Sequence, residues 1–235
     1  MKARSPCPLL MAGVIPMTNR QDLEIPRTPA EMKSLIIDFA EDRESIPDAE
    51  YHSRRGVAKD IVKDIVEEYA PLQVLAEHTA PDCKAYLMPR SNQGPDGVIE
   101  LSSGESLRVQ ITVADQNHQA AMGRERLSEG LVTFPVSKKV RNPRTRAVEE
   151  QGRVFTTRKM RLQEQVTMIA KAVQGKNENY HDGTDILLVS ANIVLNDEGL
   201  DYSWEEDLRA CIARSGSPYP RICIDTRKGI VEVNP

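Results

Sequence analysis

Aromatic residues are scarce in this 235-residue chain: three Phe and one Trp leave little surface on which single-stranded bases could stack. Cysteine is sparse as well. Cys7, Cys83, Cys211 and Cys223 are scattered, with no C-x-x-C pair and no histidine nearby at zinc-finger spacing. This argues against a structural zinc site and against a disulfide framework, and points to a reducing, cytoplasmic setting. No apolar run approaches the ~20 residues needed to cross a bilayer, so no membrane span is expected. His52, His78, His118 and His181 show neither triad nor metal-ligand spacing. There is no G-x-S-x-G, and Gly183-Thr184 lacks the lysine that a phosphate-binding loop requires. Internal repeats are absent too.

Charge is present in both signs, but unevenly. The 31 Lys and Arg against 35 Asp and Glu give a net charge of −4, which excludes a uniformly basic, histone-like protein. Between Arg124 and Arg161, however, eleven basic residues face four acids, a local +7 that leaves −11 for the remainder. A basic stripe in an acidic protein is a candidate footprint for a polyanion, since each neutralised phosphate releases counterions. Lys138, Lys139, Arg141, Arg144 and Arg146 form its densest part and are the candidate nucleic-acid contacts. The competing reading is a solvated loop of ordinary charge.

Along the chain, residues 1–16 combine two basic residues with a short apolar run broken by Pro6, Pro8 and Pro16, and are expected to be a disordered extension or the product of an upstream start. Residues 17–30, with Pro26 and Pro29, read as a linker. Together these make residues 1–28 an extended segment, followed by a helical arm over 29–55 in which Met32, Leu35, Ile36 and Phe39 share a face. The main domain is expected over 56–235. It starts with an amphipathic helix at 56–70, where Val57, Ile61 and Ile65 recur every four residues and Pro71 ends the pattern. Strand-like runs follow at 84–88, 97–101 and 107–114, the last two joined by a short Gly-containing link. Residues 130–153 read as irregular and basic. A helix near 158–174, a fully buried strand at 184–190, a helix at 204–213 with a Ser203/Glu206 capping box, and a hairpin of 220–225 with 229–233 complete an α/β order. The link 175–185, which carries Tyr180 and Asp182, reads as a plain connection.

The chemistry concentrates at Pro95-Asp96-Gly97 and Gln110-Ile111-Thr112. Asp96 precedes one strand, and Gln110 and Thr112 project from one face of the next, so the hairpin brings Asp96 beside Gln110. Pro-Asp-Gly is also a common turn tripeptide, and alternation alone predicts polar side chains at 110 and 112. A hard divalent cation such as Mg²⁺ takes oxygen ligands and few protein groups, which Asp96 and Gln110 can supply.

This arrangement resembles the PD-(D/E)XK superfamily, the restriction-endonuclease-like fold, over roughly residues 56–235. The resemblance implies a mixed sheet flanked by helices and Mg²⁺- or Mn²⁺-dependent hydrolysis of nucleic acid, DNA foremost, with a homodimer compatible. It implies metal ligation by Asp96 and Gln110, and a first-helix acid at Asp60, with Asp64 and Glu67 as rivals on that face. The chain departs from the pattern at Thr112, which stands where the family has its lysine. Lys171 would then supply the cation, with Lys176 and Lys159 as alternatives. Without such a replacement the fold would bind nucleic acid or a protein partner without cutting.

Overall fold

Asn19 and Asp22 exchange capping hydrogen bonds around a short helix, α1 (Arg20–Leu23), within the stretch read as a linker. Leu23 is fully buried, and Arg27 bridges Ala85 through paired main-chain hydrogen bonds of 3.2 and 2.7 Å. A second capping box, between Thr28 and Glu31, starts α2 (Pro29–Arg43), whose Pro29 sits where a missing N–H costs nothing. Met32 of α2 lies in the same core as Leu23, and α3 (Asp48–Gly56) follows. The computed structural model describes residues 19–57, 59–90, 94–114, 119–131, 137–153, 157–191, 195, 197–226 and 228–233. The extension read over 1–16 lies outside them, as does His118.

Pro71 does not end the next helix. The helix runs as α4 (Ile61–Asp64), a π-turn (Ile65–Tyr69) and α5 (Ala70–Thr79). A proline ring normally collides with the carbonyl four residues back and lacks the N–H for that bond. Here the ladder has already widened: Ala70 N–H donates to the Ile65 carbonyl, five residues back, so the wide turn absorbs the proline.

The strands β1 (Lys84–Leu87), β2 (Gly97–Glu100) and β3 (Ser106–Val113) form an antiparallel meander. After α6 (Gln119–Ser128), the segment expected to be irregular contains a hairpin of β4 (Ser137–Arg141) and β5 (Val148–Arg153). Its register sets Lys139 opposite Glu150, an opposite-charge pairing that no hydrophobic alternation announces. Thr157 caps α7 (Arg158–Asn177), which leads to β6 (Ile186–Ser190), buried at every position. Ser203 Oγ accepts the Glu206 N–H at 3.4 Å to start α8 (Trp204–Ser215), and Gly216 ends it at φ +61°. The strands β7 (Arg221–Thr226) and β8 (Gly229–Glu232) close the chain as a hairpin.

The fold is α/β. Its six-stranded mixed sheet runs β1-β2-β3-β6-β7-β8, with β3, β6 and β7 parallel. Both faces are covered, as a sheet with a parallel centre requires. One core cluster joins Leu23, Met32, Tyr69, Leu72 and Leu75 to Val109, Ile111 and Leu188. The other joins Leu162, Ile169 and Val173 of α7 and Leu208 of α8 to Leu187, Val189 and Ile224. No helix among the described residues is long and apolar enough to cross a membrane.

Gly97, which follows Asp96, is where α5 presses on the sheet. A Cβ there would lie 2.7 Å from Leu72 Cδ2 and 3.2 Å from the Tyr86 carbonyl oxygen. Gly97→Ala is expected to cost about 1–3 kcal/mol, read from urea unfolding, because Leu72 must leave its place.

Candidate functional site

Asp96 is pinned on three sides. Its N–H donates to the Val109 carbonyl and its own carbonyl accepts from Met88, both at 2.9 Å. Its carboxylate Oδ2 accepts the Ile111 N–H at 2.6 Å. The side chain has therefore taken over a backbone donor of β3 just where β2 has not yet begun to pair. The other carboxylate oxygen is available among the described residues, and the side chain is a third exposed.

Lys176, in the last turn of α7, brings its Nζ within 3.9 Å of Asp96 Oδ2. Of the three lysines considered for the missing cation, it is the one within ion-pair distance of Asp96. Lys171 is exposed on α7, five residues earlier and thus roughly 140° around the helix. Lys159, at the far end of α7, donates to the Asp201 carbonyl at 3.2 Å and lies over the Tyr202 ring.

Gln110 is 3% exposed, because β3 is an interior strand with α7 and α8 on that face. A buried amide needs a partner, and Tyr219, in the loop between α8 and β7, donates its hydroxyl to Gln110 Oε1. Tyr219 is itself buried, packs edge-on against Tyr180 at 5.0 Å, and has the Lys176 carbonyl 3.2 Å from its hydroxyl. Burial, with Tyr180 and Asp96 adding to it, pushes the Tyr219 phenol far above its ordinary range, so it stays a donor. Thr112 is half-buried two residues along the same face.

The first-helix acids have separate partners, and only Glu67 and Glu68 lie in the π-turn. Asp60 is the N-cap of α4: its Oδ1 accepts the Val62 N–H at 2.8 Å and its Oδ2 accepts from Arg54 at 3.3 Å. Asp64, 1% exposed, accepts from Arg90 at both oxygens and lies 3.3 Å from Arg20 Nη1. Glu67 is turned toward Arg55 and Arg124, at 3.4 and 3.5 Å. Glu68, which periodicity did not single out, is the acid that shares a field with Asp96. Burial pushes its carboxyl above the usual range. The Arg20 hydrogen bond at 3.1 Å opposes this, while Asp64 and Asp96 reinforce it. Arg20 also donates to the Met88 carbonyl at 2.7 Å, which ties α1 to the segment leading to Asp96. Neither Arg20, Arg90 nor Tyr219 carried a sequence signal, since each acts through a partner far away in the chain.

Among the described residues, no three His, Cys, Asp or Glu stand grouped as a metal cage. Mg²⁺ does not need one: it is commonly held by one or two carboxylates, with water and substrate phosphate completing the shell. Glu68 already has a cation beside it, Arg20 at 3.1 Å, and Asp96 has Lys176 at 3.9 Å.

The basic stripe divides. Lys138, Arg144 and Arg146 are exposed on the β4–β5 hairpin, whereas Lys139 is 6% exposed. Arg141 is paired with Glu125 and donates to the Arg146 carbonyl at 2.7 Å. Asn142 holds the tip: its Oδ1 accepts from the N–H groups of Arg144 and Thr145, and its carbonyl accepts from Arg146, a non-glycine residue at φ +63°.

No family model, curated protein or solved structure matches the chain.

Removing the Tyr219 hydroxyl strands a buried acceptor. Tyr219→Phe is expected to destabilise by about 1–3 kcal/mol in denaturant unfolding. Tyr219→Phe combined with Gln110→Leu, which removes both polar partners, should recover part of that loss.

Proposed function

We propose that this protein is a divergent restriction-endonuclease-like nuclease that hydrolyses DNA phosphodiesters with Mg²⁺ or Mn²⁺. The observation that supports the reading most is the approach of Lys176 to Asp96, at 3.9 Å, which would supply the cation missing at Thr112. Asp96 and Glu68 would hold the metal, with Gln110 beside them as a neutral oxygen. The metal, when bound, would polarise the scissile phosphate and ease ionisation of water. Lys176 would orient the attacking water and offset the charge that develops on phosphorus. Asp64, neutralised by Arg20 and Arg90, would hold those arginines rather than a metal. The hairpin arginines Arg144 and Arg146, with Lys138, would grip the phosphate backbone.

A second reading is a fold of this kind that binds nucleic acid without cutting. It is favoured by the Gln110 oxygen, which is committed to Tyr219, and by Asp64, which is committed to two arginines.

Plasmid cleavage in Mg²⁺ and in Mn²⁺ separates them. The nuclease reading expects metal-dependent cutting that is lost in Asp96→Asn and Glu68→Gln, and lowered roughly a hundredfold or more in Lys176→Met. Lys171→Met should cut as the parent does. A folded parent protein that cuts with neither metal overturns the nuclease reading, and salt-sensitive DNA binding by that protein supports the second. Under both readings, DNA affinity should fall steeply with salt. Arg144→Ala with Arg146→Ala should flatten the slope of log K against log salt by about 2, roughly 0.9 for each phosphate that is no longer neutralised.

A further inference from the structure

The parallel strands β6 and β7 end side by side, and their last residues open onto a cavity of about 170 Å³ beneath the helix that carries the π-turn. One wall is apolar: Val66 of the π-turn, with Ala70, Pro71 and Val74 of α5. The opposite wall is polar and consists of Ser190, Asp225 and Thr226. Thr226 is already occupied, since its Oγ1 donates to the Gly229 carbonyl at 2.8 Å and accepts the Lys228 N–H at 3.2 Å. Asp225 is not. Among the described residues, its carboxylate has one hydrogen-bond partner, Ser190 Oγ at 3.4 Å, and no cation within ion-pair distance. Burial pushes this carboxyl up to about 6, against the pull of Ser190, and no counter-charge faces it among the described residues.

The shape and chemistry restrict what fits. A cavity of ~150 Å³ accepts a benzene ring, so the space suits a ligand of ring size. An anion would meet the Asp225 carboxylate, and a wholly apolar guest would leave that charge still more dehydrated. A bare metal ion would find one carboxylate and one hydroxyl, too few donors for a closed shell, against an apolar wall. The carboxyl ends of adjacent parallel strands are also where α/β sheets commonly hold ligands.

We propose that this cavity is a binding site for a small amphipathic cation, with an ammonium or amidinium head on Asp225 and an apolar body against Val66, Ala70 and Val74. The site is separate from the Asp96 constellation and does not depend on the nuclease reading.

The test is titration of the ¹⁵N-labelled full chain with benzylamine and with benzyl alcohol, its neutral near-isostere. The proposal expects benzylamine to shift the amides of Val66, Ala70, Ser190 and Asp225 in a saturable way, with benzyl alcohol at least tenfold weaker. Asp225→Asn should erase the preference between the two. Val74→Phe, which fills the cavity and leaves the carboxylate in place, should abolish both while the remaining spectrum is kept. Equal affinity for the two probes overturns the proposal. So do shifts scattered over the acidic surface, shifts that survive Val74→Phe, and the lack of any shift up to about 10 mM probe.

Discussion

A carboxylate that accepts a main-chain N–H from the neighbouring strand is fixed in direction as well as position. Asp96 makes this contact with Ile111, and the surrounding structure is organised about it. The strand β3 pairs antiparallel with β2 on one side and parallel with β6 on the other, so neither edge is free to shift. Because Asp96 Oδ2 takes the Ile111 N–H, β3 keeps that donor paired where β2 starts. Before it in the chain, Arg90 meets Asp64 and the Met88 carbonyl meets Arg20, so a charged network lies beside the sheet.

The π-turn is the second constraint. In a regular helix, residues 60, 64 and 67 would share a face. The wider turn advances each side chain less than the usual ~100° per residue, and Glu67 there meets Arg55 and Arg124 while Glu68 meets Arg20. Two adjacent glutamates then serve different neighbourhoods: one ties the helix to α3 and α6, and the other ties it to Arg20 of α1. Pro71 and the wide turn belong together, since the proline removes a donor that the widened ladder no longer needs.

Much of the architecture was legible where burial is periodic. The alternation from Leu107 to Val113, the continuous apolar run at 186–190 and the stripe Leu162, Val166, Ile169 and Val173 each report a face that must leave water. The Asp96–Gln110 neighbourhood was legible because hairpin register follows from a short link. The β4–β5 hairpin was not, because its facing pairs, such as Lys139 with Glu150 and Val140 with Glu149, carry no apolar alternation. Pro71 misled because a local rule about missing donors ignores a change in helical pitch. Of the lysines on α7, only Lys176 reaches Asp96, and that depends on the helix running on to Asn177, past the end that its apolar pattern suggested. Glu68 and Tyr219 stayed hidden because their roles come from one extra residue in a turn and from a loop more than a hundred residues away from Gln110.

Arg146 occupies the left-handed region, where a side chain bearing Cβ is disfavoured by roughly 1–2 kcal/mol. Glycine would relax the backbone there at once, and asparagine nearly so. The hairpin instead keeps a guanidinium at that strained position, while the Arg146 carbonyl receives Arg141 and its N–H reaches Asn142. Position 146 thus sets two demands against each other: the turn favours a residue without Cβ, and a guanidinium at the hairpin tip requires one.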